Sequence, residues 1–235
     1  MENFWSRYKR NHAAVFGLFV VVLIIVMAIT ASLLYPEDPF RLVGKPLSKP
    51  LTNGFLLGSD SLGRDVASGI VHGAKTSLLI GFVATLVSVF IGIFFGAFAG
   101  YFGGLIDDIL MRVTEIFQTI PSFIFAILLV AIMKPSISSI VIAIAVVSWP
   151  GVARLVRGEF LAVKNREFVQ ACHTLGMNDL RIMLWEILPN CLSPIIVVGS
   201  LMVATAILIE SGLAFLGLGD PNIMSWGFLI GAGRT

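Results

Sequence analysis

Long charge-free runs of apolar residues dominate this chain, and polar residues are gathered between them. Residues 13–35, 76–106, 116–133, 135–153 and 187–209 each reach or approach the roughly 20 residues that a helix needs to cross a bilayer core. The pattern predicts about five spanning helices and no alternating strands. The second run exceeds one span, which predicts a tilted helix followed by its turn. The third and fourth runs flank Lys134 and Pro135 and read as a helical hairpin. The fifth ends near Glu210, and the glycine-rich residues 211–235 predict no sixth span.

Two polar stretches interrupt these runs. Residues 36–75 carry Pro36, Pro39, Pro46 and Pro50 with Gly44, Gly54, Gly58 and Gly63, the composition of a loop outside the hydrocarbon. Residues 154–186 are basic and helical in period. Phe168, Ala171, Cys172 and Leu175 fall at i, i+3, i+4 and i+7 on a short helix whose other face carries Arg166, Glu167, Gln170 and His173. Gly176 ends that stripe, and Asn178 or Asp179 can cap a second helix. There Leu180, Met183, Leu184 and Ile187 repeat the spacing until Pro189 stops it. Two short amphipathic helices joined at a glycine make either a docking knob for another protein or an interfacial element on anionic lipid. The residues alone leave both open.

Composition supports residence in a membrane. Of the 235 residues 57% are hydrophobic and 13% charged, and mean hydropathy is +0.95, whereas soluble domains carry about 25% charged residues. The first apolar run follows Arg7, Lys9 and Arg10, but it is too long for a signal peptide and lacks a small-residue cleavage pattern, so it reads as a retained anchor. Alternating spans place nine Lys and Arg residues on the N-terminal side and seven on the other, favouring a cytoplasmic N-terminus. A net charge of +2 without a basic run argues against nucleic acid as a partner.

Chemical motifs are sparse. Cys172 and Cys191 match neither a disulfide framework nor a zinc pattern, and His12, His72 and His173 are far apart, so neither metal nor cofactor is expected. No phosphate-binding loop is present. Gly92, Gly96, Gly100 and Gly104 recur every fourth residue and leave one helix face as bare backbone, for packing within the subunit or for a pore or subunit interface. Asp107, Asp108, Arg112 and Glu115 read as a capped helix start with an arginine paired at i+4. Glu210, closing an apolar span, reads either as a contact for substrate or partner or as a snorkelling anchor.

Three ordered motifs carry a family resemblance. Gln170-Ala171-Cys172, then Gly176, then Leu188-Pro189 resembles the EAA loop of ATP-binding-cassette importer permeases, with Gln170 for the usual glutamate, Cys172 for the second alanine and Glu186 for the isoleucine. Leu57-Gly58-Ser59-Asp60-Ser61-Leu62-Gly63-Arg64-Asp65, followed by Gly73-Ala74-Lys75-Thr76-Ser77-Leu78, is similar to the C-type permeases of dipeptide, oligopeptide and nickel importers. So is the run from Glu210 through Gly217 and Gly219 to Ser225-Trp226-Gly227.

The resemblance implies an all-α, polytopic type I importer permease in the cytoplasmic (inner) membrane. Residues 1–60 would hold the cytoplasmic tail, first span and start of an extracytoplasmic loop, and residues 73–235 the permease domain with its coupling loop at about 166–189. The family normally has a sixth helix after Trp226-Gly227, which is absent here, so the resemblance implies that the permease domain is incomplete at its C-terminus. Implied partners are a second homologous permease in a heterodimer, two cytoplasmic ATPase subunits, an extracytoplasmic solute-binding protein and membrane lipid. The resemblance further implies a non-catalytic subunit that moves peptides, or nickel. It gives Gly58, Asp60, Gly63, Arg64, Asp65, Glu210, Gly217, Gly219 and Trp226 as motif residues with possible extracytoplasmic contacts. The competing classes are an ion-coupled secondary transporter, which needs inverted repeats or charges within spans, and a membrane enzyme, which needs a nucleophile with a base or a metal set. Neither pattern is found in the sequence.

Overall fold

The structure, a computed structural model, describes residues 8–52 and 54–233. Arg7 and Arg234, both counted in the charge balance above, lie outside these residues. The helices are α1 (His12–Leu34), α2 (Val66–Phe102), α3 (Gly104–Thr119), α4 (Ser122–Met133), α5 (Ile137–Val163), α6 (Glu167–Thr174), α7 (Asp179–Phe215, with a π-helical turn at Ile182–Ile187) and α8 (Trp226–Ala232). No strand occurs among the described residues; Thr52 with Phe55 and Ser59 with Asp65 form isolated bridges. Among the described residues four helices are long and apolar enough to span a membrane, or five if the bent pair α3 and α4 is one span.

Several expected boundaries shift, each for a local reason. The second span ends at Phe102 rather than 106, because Gly103 takes a positive φ of 66° and the chain restarts as α3. The third is no continuous helix: α3 and α4 meet at 83°. Pro121 has no N–H to give and holds Ile120 in an extended conformation, φ −90° and ψ 130°. The fourth continues to Val163, so Arg154, Arg157 and Glu159 are helical and the polar stretch proper starts after Lys164. The fifth begins at Asp179 and passes through Pro189 to Phe215, beyond Glu210.

The chain divides into two compact units, residues 1–78 with 221–235 and residues 79–220. In the first, α1 is apolar on every side and buries only Ala28 and Ala31, while Phe16, Phe19, Ile29 and Leu33 stay exposed. A helix of that kind is solvated by lipid. The loop after it folds on its own polar groups. Asp60 Oδ1 accepts the N–H groups of Leu62 and Arg64 at 2.9 and 2.8 Å. Ser59 Oγ donates to the Lys45 carbonyl at 2.6 Å and accepts the Ser48 N–H at 2.9 Å. Asp65 accepts the Ala67 N–H at 2.9 Å and so opens α2. Gly63, at φ 84°, lies where any side chain would strike the Gly44 carbonyl.

The second unit packs α5 against α2, α3, α4 and α7 in two apolar clusters. Around one lie Val152, Val156, Phe160, Val169, Ile182, Met183 and Ile187. Around the other are Ile80, Ala84, Ala126, Val130, Ile140, Ile144 and Leu213. Gly92, Gly96 and Gly100 are where α2 meets α5. A methyl group on Gly92 would hit Val152, one on Gly96 would strike the Ala153 carbonyl and approach Val156 Cβ to 2.7 Å, and one on Gly100 would sit 2.6 Å from Phe160 Cβ. Gly104 does not belong to this stripe. It begins α3 at φ 53° with nothing near its side-chain position.

Because backbone and branched side chains close this seam, Gly96→Leu is expected to lose the packing that small residues permit, at about 1–3 kcal/mol or more. Gly151→Ala, in α5 with open space around it, is the control. Thermal unfolding in detergent should fall sharply for the first and stay near wild type for the second.

Candidate functional site: the segment joining α5 and α7

From Lys164 to Trp185 the chain leaves and re-enters the bundle, and each step has a local cause. Lys164 closes α5 with its N–H on the Phe160 carbonyl at 2.9 Å. Arg166 is extended, φ −71° and ψ 151°, and Glu167 in the first turn of α6 places a negative charge at the positive end of the helix. At its other end the Gly176 N–H bonds to the His173 carbonyl and the Met177 N–H to the Cys172 carbonyl, at 3.0 and 3.1 Å. That pair of bonds needs a left-handed residue between them, and Gly176 supplies it at φ 72°. Asn178 then caps α7 by accepting the Leu180 N–H at 3.1 Å.

Both halves of the segment are apolar on two sides. Inward, Val169 is fully buried and Cys172 and Met177 are half-buried against the cluster around Phe160. Outward, Phe168, Ala171 and Leu175 on α6 and Leu180, Leu184 and Trp185 on α7 are exposed, Leu175 at 80% and Trp185 at 73%. The four-residue stripe expected on each helix is therefore split: Cys172, Met183 and Ile187 turn in, and the others turn out. On α7 the reason is the π turn, whose extra residue per turn brings Ile182, Met183, Ile187 and Cys191 onto one side.

Pro189 does not end the helix. The Leu188 N–H reaches back five residues to the Met183 carbonyl, and Asn190 Nδ2 donates to the Glu186 carbonyl at 2.6 Å, so the ladder is re-satisfied around the proline. Gln170 is exposed and donates through Nε2 to the Asn165 carbonyl at 3.2 Å.

Tyr101, in the last turn of α2, carries no motif and was not among the expected site residues. Its hydroxyl donates to Asp179 Oδ1 at 2.7 Å, and its ring stacks on His173 with centroids 6.2 Å apart. Lys164 Nζ donates to its carbonyl at 3.3 Å. A phenol closing an apolar span was the sequence signal, since such rings favour the membrane boundary. Its partners, 63 to 78 residues away, left no trace in spacing.

Asp107 in α3 receives Arg157 of α5 in a bidentate pair, Nε at 2.5 Å and Nη2 at 2.6 Å. Arg112 pairs with Glu115 at 3.1 Å, so the expected i+4 partnership of Asp108 and Arg112 is not formed.

The remaining motif residues fall in separate places. In the first unit Arg64 lies between the rings of Phe40 and Phe228, 5.2 and 5.4 Å from their centroids, with the Asp60 carboxylate 4.0 Å away. Trp226 donates its backbone N–H to Ser77 Oγ at 3.1 Å and its indole N–H to the Ile70 carbonyl at 3.0 Å. Ser225 accepts the Phe228 N–H and caps α8. Thus Gly58, Asp60, Gly63, Arg64, Asp65 and Trp226 belong to one unit. Glu210, Gly217 and Gly219 belong to the other. Glu210 is 1% exposed, inside α7 and short of its end, which removes the snorkelling reading. Gly217 closes α7, with its N–H on the Ala214 carbonyl and that of Leu218 on the Leu213 carbonyl.

Comparison with known proteins places this geometry. The family model described as binding-protein-dependent transport system inner membrane component matches residues 92–229, and that of the N-terminal TM domain of oligopeptide transport permease C matches residues 1–49. The chain is 38% identical to the di/tripeptide transport system permease protein DppC of Pseudomonas aeruginosa, covering 100% of this chain and 80% of that one. It is 41% identical to the dipeptide transport system permease protein DppC of Escherichia coli, over 98% and 79% of the two chains. Among solved structures, an inward-facing MetNI methionine ABC transporter shares the fold at TM-score 0.57 and 17% identity, over 66% of this chain and 77% of that one.

The Asp107–Arg157 pair gives a stability test. Its side chains are 12% and 36% exposed, so solvent weakens it. A double-mutant cycle of Asp107→Ala and Arg157→Ala should give a coupling of about 1 kcal/mol in detergent unfolding. Strict additivity would show that the pair contributes nothing.

Proposed function

This chain belongs to the family of binding-protein-dependent transport system inner membrane components, and from that membership we propose that it is the permease subunit of a peptide importer driven by separate ATPases. The observation that carries the reading is the outward apolar face of the segment between α5 and α7. Phe168, Leu175, Leu180, Leu184 and Trp185 are exposed on short helices braced from behind by Val169, Ile182 and Met183. An exposed cluster of large apolar side chains marks a surface for another protein or for lipid, and the family resemblance favours the protein. In this family the matching loop is a coupling helix, and its partner is a cytoplasmic ATPase.

The parts then follow. Gln170, Ala171, Cys172, Leu175, Gly176, Leu188 and Pro189 form or frame the coupling segment. The N-terminus and this segment are cytoplasmic, and the loop around Asp60 and Arg64 is extracytoplasmic, where a solute-binding protein delivers substrate. A second permease completes the pathway, as the resemblance to heterodimeric importers implies. Closure of the ATPases on nucleotide displaces α6, and the spans turn that displacement into alternating access. Peptide is the substrate class favoured by the names of the similar permeases. This subunit performs no chemistry.

Leu175→Asp tests the docking face. Leu175 is 80% exposed and belongs to neither buried cluster, so insertion and folding should be kept, while a carboxylate pressed into an apolar groove should weaken recovery of the ATPase about 100-fold. Undiminished recovery removes the coupling assignment. Orientation has its own measurement: a cysteine at Asn165 should react with impermeant thiol reagent only after the cytoplasmic face is opened, and reaction in intact cells would invert the topology.

A further inference from the structure

Resting on the reading above, we propose that Tyr101 is a positioning residue that fastens the ATPase-facing segment to the end of α2, so that displacement of α6 reaches α2 as well as α7.

An eight-residue helix has no independent stability in water and must be held by its surroundings. α6 is held little. Val169 is its fully buried anchor and Cys172 is half-buried, while Gly176 after it is exposed with nothing within 4 Å of its side-chain position. A helix attached through so few buried residues, pushed on its outer face, pivots rather than transmits.

Tyr101 supplies the second attachment, and it gathers three segments. Lys164, at the end of α5, donates to the Tyr101 carbonyl, one of the last four of α2 that the helix itself leaves unpaired. His173, on α6, stacks on the ring at an interplanar angle of 24°. Asp179, the first residue of α7, accepts the hydroxyl proton at 2.7 Å, a hydrogen bond strengthened by the carboxylate charge. The turn from Thr174 to Asn178 is thereby clamped on both sides to one residue of α2. Just before Tyr101, Gly100 lies against Phe160 and the Arg157 carbonyl, so the anchoring point is itself fixed on α5.

The test uses the assembled transporter and reads peptide moved per ATP hydrolysed, with ATPase recovery as the docking control. Tyr101→Phe keeps the stacked ring and removes the hydroxyl; Asp179→Ala removes the acceptor; Asp179→Asn keeps one. Tyr101→Phe and Asp179→Ala should each lower the ratio about 5-fold, the double variant should fall no further, and Asp179→Asn should stay near wild type. ATPase recovery should be unchanged throughout. In the purified full chain, Tyr101→Phe should speed amide exchange across α6 about 10-fold and leave α5 unaltered. An unchanged ratio, additive single effects or unaltered exchange overturns the proposal. The exchange measurement needs no partner, so it separates a failed latch from a failed assignment of the segment to an ATPase.

Discussion

The closeness with which α2 and α5 approach at Gly92, Gly96 and Gly100 governs the rest of the second unit. In lipid there is no hydrophobic gain from bringing two apolar helices together, because the lipid tails are as apolar as the side chains. Association must come from contact density and satisfied polar groups. Three glycines on successive turns let the backbone of α2 rest on Val152, Ala153, Val156 and Phe160, so dispersion acts over a long seam. α5, seated this way, presents Arg157 to Asp107 of α3 and carries Phe160 into the cluster that receives Val169 and Ile182. The position of the segment between α5 and α7 therefore descends from a glycine spacing more than 60 residues upstream.

What could be read in advance follows from which forces are periodic. The apolar runs, the α4–α5 hairpin at Lys134, the stop at Gly176 and the cap at Asn178 are local and are written in composition and spacing. At three places the chain departs from its pattern because one local rule meets a competing one. Pro121 broke α3 from α4 as proline rules require, but within a run whose apolarity read as one span. Pro189 broke nothing, because the π turn and the Asn190 side chain took over the backbone groups that proline leaves open. Gly104 kept the four-residue spacing of its predecessors, yet a positive φ at Gly103 had already turned the chain. Spacing records opportunity; backbone conformation decides whether it is used.

In the segment between α5 and α7 the helical period was legible in the sequence, and which of its sides meets the core was not. Helical period marked 168, 171, 172 and 175 as one stripe, but in a helix apolar on both sides the period cannot say which half meets the core. Val169 decides it, at 0% exposure, and no stripe includes it. Tyr101 and its contacts to Lys164, His173 and Asp179 depend on where α2 ends relative to a turn far along the chain, which no local pattern encodes.

The two faces of the segment also explain how one short element can both belong to the bundle and present an apolar surface outward. Its inner side chains have little to spare: Val169, Ile182, Met183 and Ile187 are essentially out of contact with solvent, and close-packed interiors transmit displacement because they have no voids in which to lose it. Its outer side chains, from Phe168 at 37% to Leu175 at 80%, are exposed to different degrees and none belongs to the buried clusters. The π turn lies where these requirements meet. By placing Ile182 and Met183 inward while Leu184 and Trp185 remain outward, it lets α7 run unbroken from the outer surface into the span. From Asp179 onward the chain is thus one helix of 37 residues, about 55 Å long, and the short turn from Thr174 to Asn178 is the one break between it and α6.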